Sequence, residues 1–153
     1  MMASNNSVFV FKVALKHQKR IWRKIAIRGD QTLAMLHEAI FHAFDRYDEH
    51  LYSFYFSSKP TSRSRDRLYG ALRYSCPYEE ADERADIARI DSLPLKLNDR
   101  FEYLFDYGDE WWHEITLVEN QPLRNDVKYP MIIESRGESP PQYLDSDDDD
   151  EDI

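Results

Sequence analysis

Residues 101–119 read FEYLFDYGDEWWHEITLVE. Phe101, Tyr103, Phe105 and Tyr107 alternate with Glu102, Leu104 and Asp106, and a period of two marks a strand. A second aromatic-rich run begins at Trp111. Between them stands Gly108-Asp109, a pair suited to a tight hairpin turn because glycine reaches positive φ without steric penalty. A two-residue loop there pairs Tyr107 with Glu110, Asp106 with Trp111 and Leu104 with His113. Leu104, Asp106, Trp111, His113, Ile115 and Leu117 then share one face, whereas a longer loop sets a different register.

Asp106, Asp109 and His113 are the candidate catalytic residues of this hairpin. Carboxylates and an imidazole can hold a metal or move protons. The alternative is structural: the aspartates fix the turn by accepting backbone N–H groups, and His113 is a partly buried, hydrogen-bonded histidine. No spacing matches a metal motif such as two histidines four apart on a helix, so no metal and no cofactor are expected.

The 153 residues bound the chain to one domain with room for a core, and 14% aromatics supply it. A mean hydropathy of −0.71 and the lack of any long apolar run argue against an integral membrane protein. The opening MMASNNSVFVFKVALK has no secretory-signal pattern, and a single cysteine, Cys76, forms no internal disulfide; both predict a cytoplasmic protein. The net charge of −9 is local. Seven of the 29 acidic residues lie between Asp145 and Asp152, leaving a near-neutral body. The expected organisation is a disordered lead-in over 1–6, one domain over 7–143 and an acidic disordered tail over 144–153.

Working outward from the hairpin, VFVFKVALK from Val8 reads as a strand with Phe9, Phe11, Val13 and Leu15 on one face. Ile21 to Arg28 reads as its hairpin partner, with Ile21, Ile25 and Ile27 inward and Trp22, Lys24 and Arg28 outward. Asp30 or Thr32 caps a helix on which Leu33, Leu36, Ile40 and Phe44 recur at helical spacing. His37 lies on or beside that stripe, as a ligand or as a satisfied histidine at the core edge. His50 to Phe56 is a third strand. Residues 57–68, SSKPTSRSRDRL, read as an exposed loop whose arginines suit phosphate or simple solvation. Tyr69 to Tyr78 has no clear pattern, Glu79 to Ala88 reads as a short second helix, and Met131 to Glu134 as a short last strand.

Taken together, these segments resemble the plasmid pRiA4b ORF-3-like family. The hairpin is similar to its aromatic-Asp-aromatic-Gly-Asp-x-Trp-x-His core through Phe105, Asp106, Tyr107, Gly108, Asp109, Trp111 and His113. Trp22 and Arg23 resemble its Trp-Arg strand, and Leu33, Leu36 and His37 its Leu-x-x-Leu-His helix. His50, Leu51 and Phe54 resemble its His-Leu-x-x-Phe strand, and Tyr129, Pro130, Gly137, Pro140 and Pro141 its exit. The resemblance spans about residues 8–143. Many relatives carry a cysteine and acidic residues around the Pro-Pro pair, and this chain lacks that cysteine. The resemblance implies an α+β domain, and the strand–strand–helix–strand order suggests a β-grasp-like roll with a mostly antiparallel sheet packed on one main helix. It also implies an association with plasmids and mobile elements, without an activity.

Three functions follow as expectations. The first is a non-enzymatic interaction module with a protein partner, bound through Trp22, Arg23, His37, His50, Trp111 and Trp112. The second is a nucleic-acid-binding accessory protein, using Lys12, Lys16, Lys19, Arg20, Arg23, Lys24 and Arg28 around Trp22. The third is a hydrolase-like enzyme built on Asp106, Asp109 and His113, which requires a cleft and perturbed pKa values there.

Overall fold

The computed structural model describes residues 7–57, 71–76 and 83–143. Along them run β1 (Ser7–Leu15), β2 (Gln18–Arg28), α1 (Leu33–Ala43), β3 (Tyr52–Ser57), β4 (Ala71–Ser75), β5 (Glu83–Arg84), β6 (Arg100–Phe105), β7 (Trp111–Pro122) and β8 (Met131–Arg136). All eight strands join one sheet in the order β5-β4-β3-β6-β7-β1-β2-β8. The β4–β5 pair is parallel and every other pairing is antiparallel. The fold is α+β, a mixed sheet with one α-helix among the described residues.

Alternation builds the sheet's inner face. Phe11, Val13, Leu15, Ile25, Ile27, Ile115 and Leu117 point to the side on which Leu33, Leu36 and Ile40 of α1 pack, with Phe54, Phe101, Tyr103 and Phe105 completing the cluster. Stacking of Phe56 on Phe101 and the edge contact of Phe11 on Phe101 fix the aromatic centre. A smaller cluster of Val8, Val10, Ala26 and Tyr129 covers part of the opposite face.

Helix α1 is held at both ends. Thr32 is its N-cap, with Oγ1 accepting from the Met35 N–H; Asp30 pairs with Arg28 instead. The Leu33 and Ala34 N–H groups donate to the carbonyls of Ala88 and Ala85. At the far end the buried Arg23 donates from Nε to the Ala43 carbonyl at 2.9 Å, and from Nη1 to the carbonyls of Trp22 and Arg136. One guanidinium thus ties α1 to β2 and β8 where the helix leaves carbonyls unbonded.

Several expectations are corrected. The central loop runs over residues 106–110, and Phe105 pairs with Trp111, Leu104 with Trp112 and Tyr103 with His113. His113 therefore shares its face with Tyr103 and Phe105 rather than with Leu104 and Asp106. Positive φ falls on Asp106 (69°) and Glu110 (57°), not on Gly108. The short helix expected over 79–88 does not form in its described part: Glu83–Arg84 is a strand beside β4 and residues 85–87 turn, because the Ala85 N–H and carbonyl bond Ser75 and α1. The unpatterned stretch contains β4, and the last strand extends to Arg136. Residues 1–6, 58–70 and 144–153, which hold the lead-in, the arginine-rich loop and the acidic run, lie outside the described residues.

Candidate functional site

The hairpin triad does not converge. Asp106 is buried at the mouth of the turn, where Oδ1 accepts the N–H groups of Gly108 (3.0 Å) and Asp109 (3.2 Å), and its carbonyl accepts from Glu110. Asp109 is exposed on the tip. His113 is fully buried in the sheet's inner face. Its Nδ1 lies 3.2 Å from the Tyr103 carbonyl, an acceptor only, so Nδ1 carries the proton and Nε2 accepts from Arg46 Nη2 at 2.9 Å. Burial, reinforced by the Arg46 charge, holds the His113 pKa well below its ordinary value. Such an imidazole is a neutral acceptor within the core, out of reach of substrate.

Arg46 is itself buried, and desolvation lowers its pKa to about 10. Its guanidinium lies over the rings of Phe44, Phe105 and Trp111. Trp111 therefore belongs to the core edge, and its Nε1 is buried with no hydrogen-bond partner among the described residues.

A concave feature lies elsewhere among the described residues. A cleft of about 930 Å³ opens between the first turns of α1, the start of β3, Cys76 and Asp86. Thr32, Ala34, Met35, Leu51 and Cys76 form much of its wall, His37 and Tyr52 contribute aromatic surface, and Glu38, Glu49, His50 and Asp86 bring polar groups. His37 is stacked on Tyr52, with ring centres 3.7 Å apart. Its Nδ1 lies 2.6 Å from the Tyr103 hydroxyl and its Nε2 lies 2.8 Å from Glu49 Oε1. Ionised Glu49 can only accept, so Nε2 holds the proton and Tyr103 donates to Nδ1. The Glu49 carboxyl is held below its ordinary range by His37 and the His50 N–H, against the opposing effect of burial. Donor atoms of His37, Glu38 and Glu49 lie within 4.8 Å of one another, a spacing that could hold a cation.

His50 links this cleft to the hairpin. Its Nε2 is 2.7 Å from the Tyr143 hydroxyl, 3.5 Å from Asp106 Oδ2 and 3.6 Å from Asp48. Tyr143 Oη in turn donates to Asp48 at 2.5 Å, which raises its pKa to about 12. Gln142 accepts the Tyr47 and Asp48 N–H groups and donates to the Asp48 carbonyl. The segment after the Pro-Pro pair is thus fastened onto the loop between α1 and β3.

Trp22 and Trp112 lie on the sheet face away from α1, both partly exposed. Lys12, Lys24 and Arg136 surround Trp22, and Lys16 lies over Trp112, which packs on Tyr55. Lys16, Lys19 and Lys24 are paired with Glu102, Glu114 and Glu134, Arg28 with Asp30, and Arg23 is buried. Most of the basic set read from the first hairpin is therefore already neutralised or internal. Beyond Trp22 lies the sheet's outer strand, β8, all of whose residues are exposed.

Of the expected binding residues, His37 and His50 meet at one cleft, Trp22 and Trp112 share an open face, and Arg23 and Trp111 serve the interior. Sequence reasoning missed Glu49, Tyr103, Arg46 and Gln142. The stretch DEH before β3 carried a faint signal for Glu49, since a carboxylate beside a histidine often engages one. Nothing local marked Arg46 as buried.

The comparisons agree with this architecture. The model of the family described as Plasmid pRiA4b ORF-3-like protein matches residues 7–146. The chain is 32% identical over 141 residues to the uncharacterized protein y4hQ of Sinorhizobium fredii (strain NBRC 101917 / NGR234), covering 89% of this chain and 66% of that protein's length. The crystal structure of the protein of unknown function MM3350 from Methanosarcina mazei Go1 superposes with a TM-score of 0.75 at 22% identity. That match covers 90% of this chain and 73% of the other, and it shows a shared fold. No helix among the described residues is long and apolar enough to cross a membrane. With a family model matched over residues 7–146, from β1 to beyond Tyr143, this chain belongs to the plasmid pRiA4b ORF-3-like family.

Proposed function

We propose that the chain is a non-enzymatic interaction module whose partner is a protein docking along β8. The observation that carries this reading is the chemistry of that edge. Met131, Ile132 and Ile133 are 38%, 42% and 38% exposed on a strand with no neighbour beyond it among the described residues. An open edge offers a row of N–H and C=O groups, and an incoming strand pairs with them while its side chains read those of β8. Trp22, adjacent to Arg136, supplies an aromatic anchor beside the edge.

Nucleic-acid binding stands second. Cations around Trp22 favour it, but Lys16, Lys19 and Lys24 already face carboxylates, so few charges of the first hairpin remain for phosphate. The hydrolase-like reading stands third, because His113 is sealed in the core and Asp106 is occupied by the turn.

The test uses the full chain as bait beside an Ile132→Lys/Ile133→Lys variant. Both side chains are exposed, so the variant keeps its urea midpoint. Proteins captured by the native chain and lost by the variant support docking at β8; equal capture by both refutes it.

A further inference from the structure

We propose that the cleft between α1 and β3 is a receptor for an arginine side chain presented by a peptide. The proposal goes beyond the reading above and stands apart from it, since no lining residue belongs to β8.

Charge complementarity is the first argument. Glu38, Glu49 and Asp86 line the cleft, and among the described residues no lysine or arginine does. The Glu49 side chain is 55% exposed, with Oε1 engaged by His37 and by the His50 N–H. Asp86 is already bonded to Arg84 at 2.6 Å, which leaves Glu38 and Glu49 as the carboxylates that receive the ligand. A guanidinium forms paired charge-assisted bonds with carboxylates.

Shape is the second. Met35, Ala34 and Leu51 line the cleft with apolar surface for the methylene stem of an arginine, while the His37 and Tyr52 rings beside them are stacked on each other and nearly buried.

Protonation is the third, and it distinguishes an organic cation from a metal ion. The Tyr103 hydroxyl donates to His37 Nδ1, and His37 Nε2–H donates to Glu49, so each group in the relay is satisfied. A metal on Nε2 moves the proton to Nδ1 and turns the Tyr103 hydroxyl proton away from its partner. Leaving that buried donor without its partner is costly. A guanidinium needs no such rearrangement.

The experiment follows backbone amide resonances of the isotope-labelled full chain during titration with Gly-Gly-Arg-Gly-Gly. Matched peptides carrying citrulline or lysine, and Zn²⁺ alone, serve as comparisons. Saturable shifts are expected at residues 32–38 and 49–52 with the arginine peptide, about tenfold weaker binding with citrulline, and a similar loss in Glu38→Gln and Glu49→Gln. Both glutamates are exposed, so the variants fold. Equal affinity for citrulline, shifts confined to residues 145–152, or a cleft response to Zn²⁺ alone overturns the proposal. Because β8 is untouched by these variants, failure here and failure of partner docking are separately visible.

Discussion

Arg23 and His113 show how family-motif residues that look reactive in a sequence can serve the interior. Arg23 satisfies three backbone carbonyls from one buried guanidinium. Arg23→Ala leaves those acceptors without their donor and is expected to cost about 2–4 kcal/mol, read as a drop in urea-unfolding free energy. His113 has a folded-state pKa pressed well below its ordinary 6.5 by burial and by Arg46. Above that value both folded and unfolded states carry a neutral ring, and the full stability is present. As pH falls through 6.5 the unfolded chain takes up a proton that the folded chain refuses, so stability declines, by at most about 1.4 kcal/mol per pH unit. Unfolding curves at pH 7.5 and 5.5 should show a steeper loss in the native chain than in His113→Gln.

At the level of elements, the 106–110 loop is organised by Asp106 more than by Gly108. Asp106 adopts φ 69° and its carboxylate receives two backbone N–H groups. Asp106→Ala keeps the unfavourable backbone and loses both bonds, so it should destabilise by about 1–3 kcal/mol, whereas Asp106→Asn retains an acceptor and tolerates positive φ. Comparing the two thermal midpoints checks this. Gly137 closes β8 in a similar way: φ is +83°, and an added Cβ would meet Ile21 Cγ1 at 3.0 Å. Gly137→Ala should therefore strain the end of β8 and lower the thermal midpoint, even though β8 itself is exposed.

Across the whole molecule, charge separates the candidate partners. Ion pairs between the sheet's lysines and glutamates leave a near-neutral face, and the acidic run of 145–152 adds repulsion toward phosphate. The full chain is expected to show no salt-sensitive binding to duplex or single-stranded DNA. Binding that appears at low salt, strengthens when Asp145–Asp152 are neutralised and falls steeply with added salt would transfer the proposal to nucleic acid.

Much of this architecture is legible in the sequence, because alternation and helical spacing are local properties of the chain. They place β1, β2, α1, β3 and the central hairpin, and the ordered motifs place the family. The hairpin register is not legible, since Gly108-Asp109 suits a two-residue turn and only the paired strands decide that five residues form the loop. The Glu83–Arg84 segment reads as helix because its composition is polar; its bonds to Ser75 and the N-terminus of α1 make it strand and turn instead. The sequence by itself determined β1, β2, α1 and β3 and their inward faces. Tertiary structure alone decided that His113 is sealed against Arg46 while His37, Glu49 and His50 meet at an open cleft, because burial and long-range pairing depend on neighbours far away in the chain.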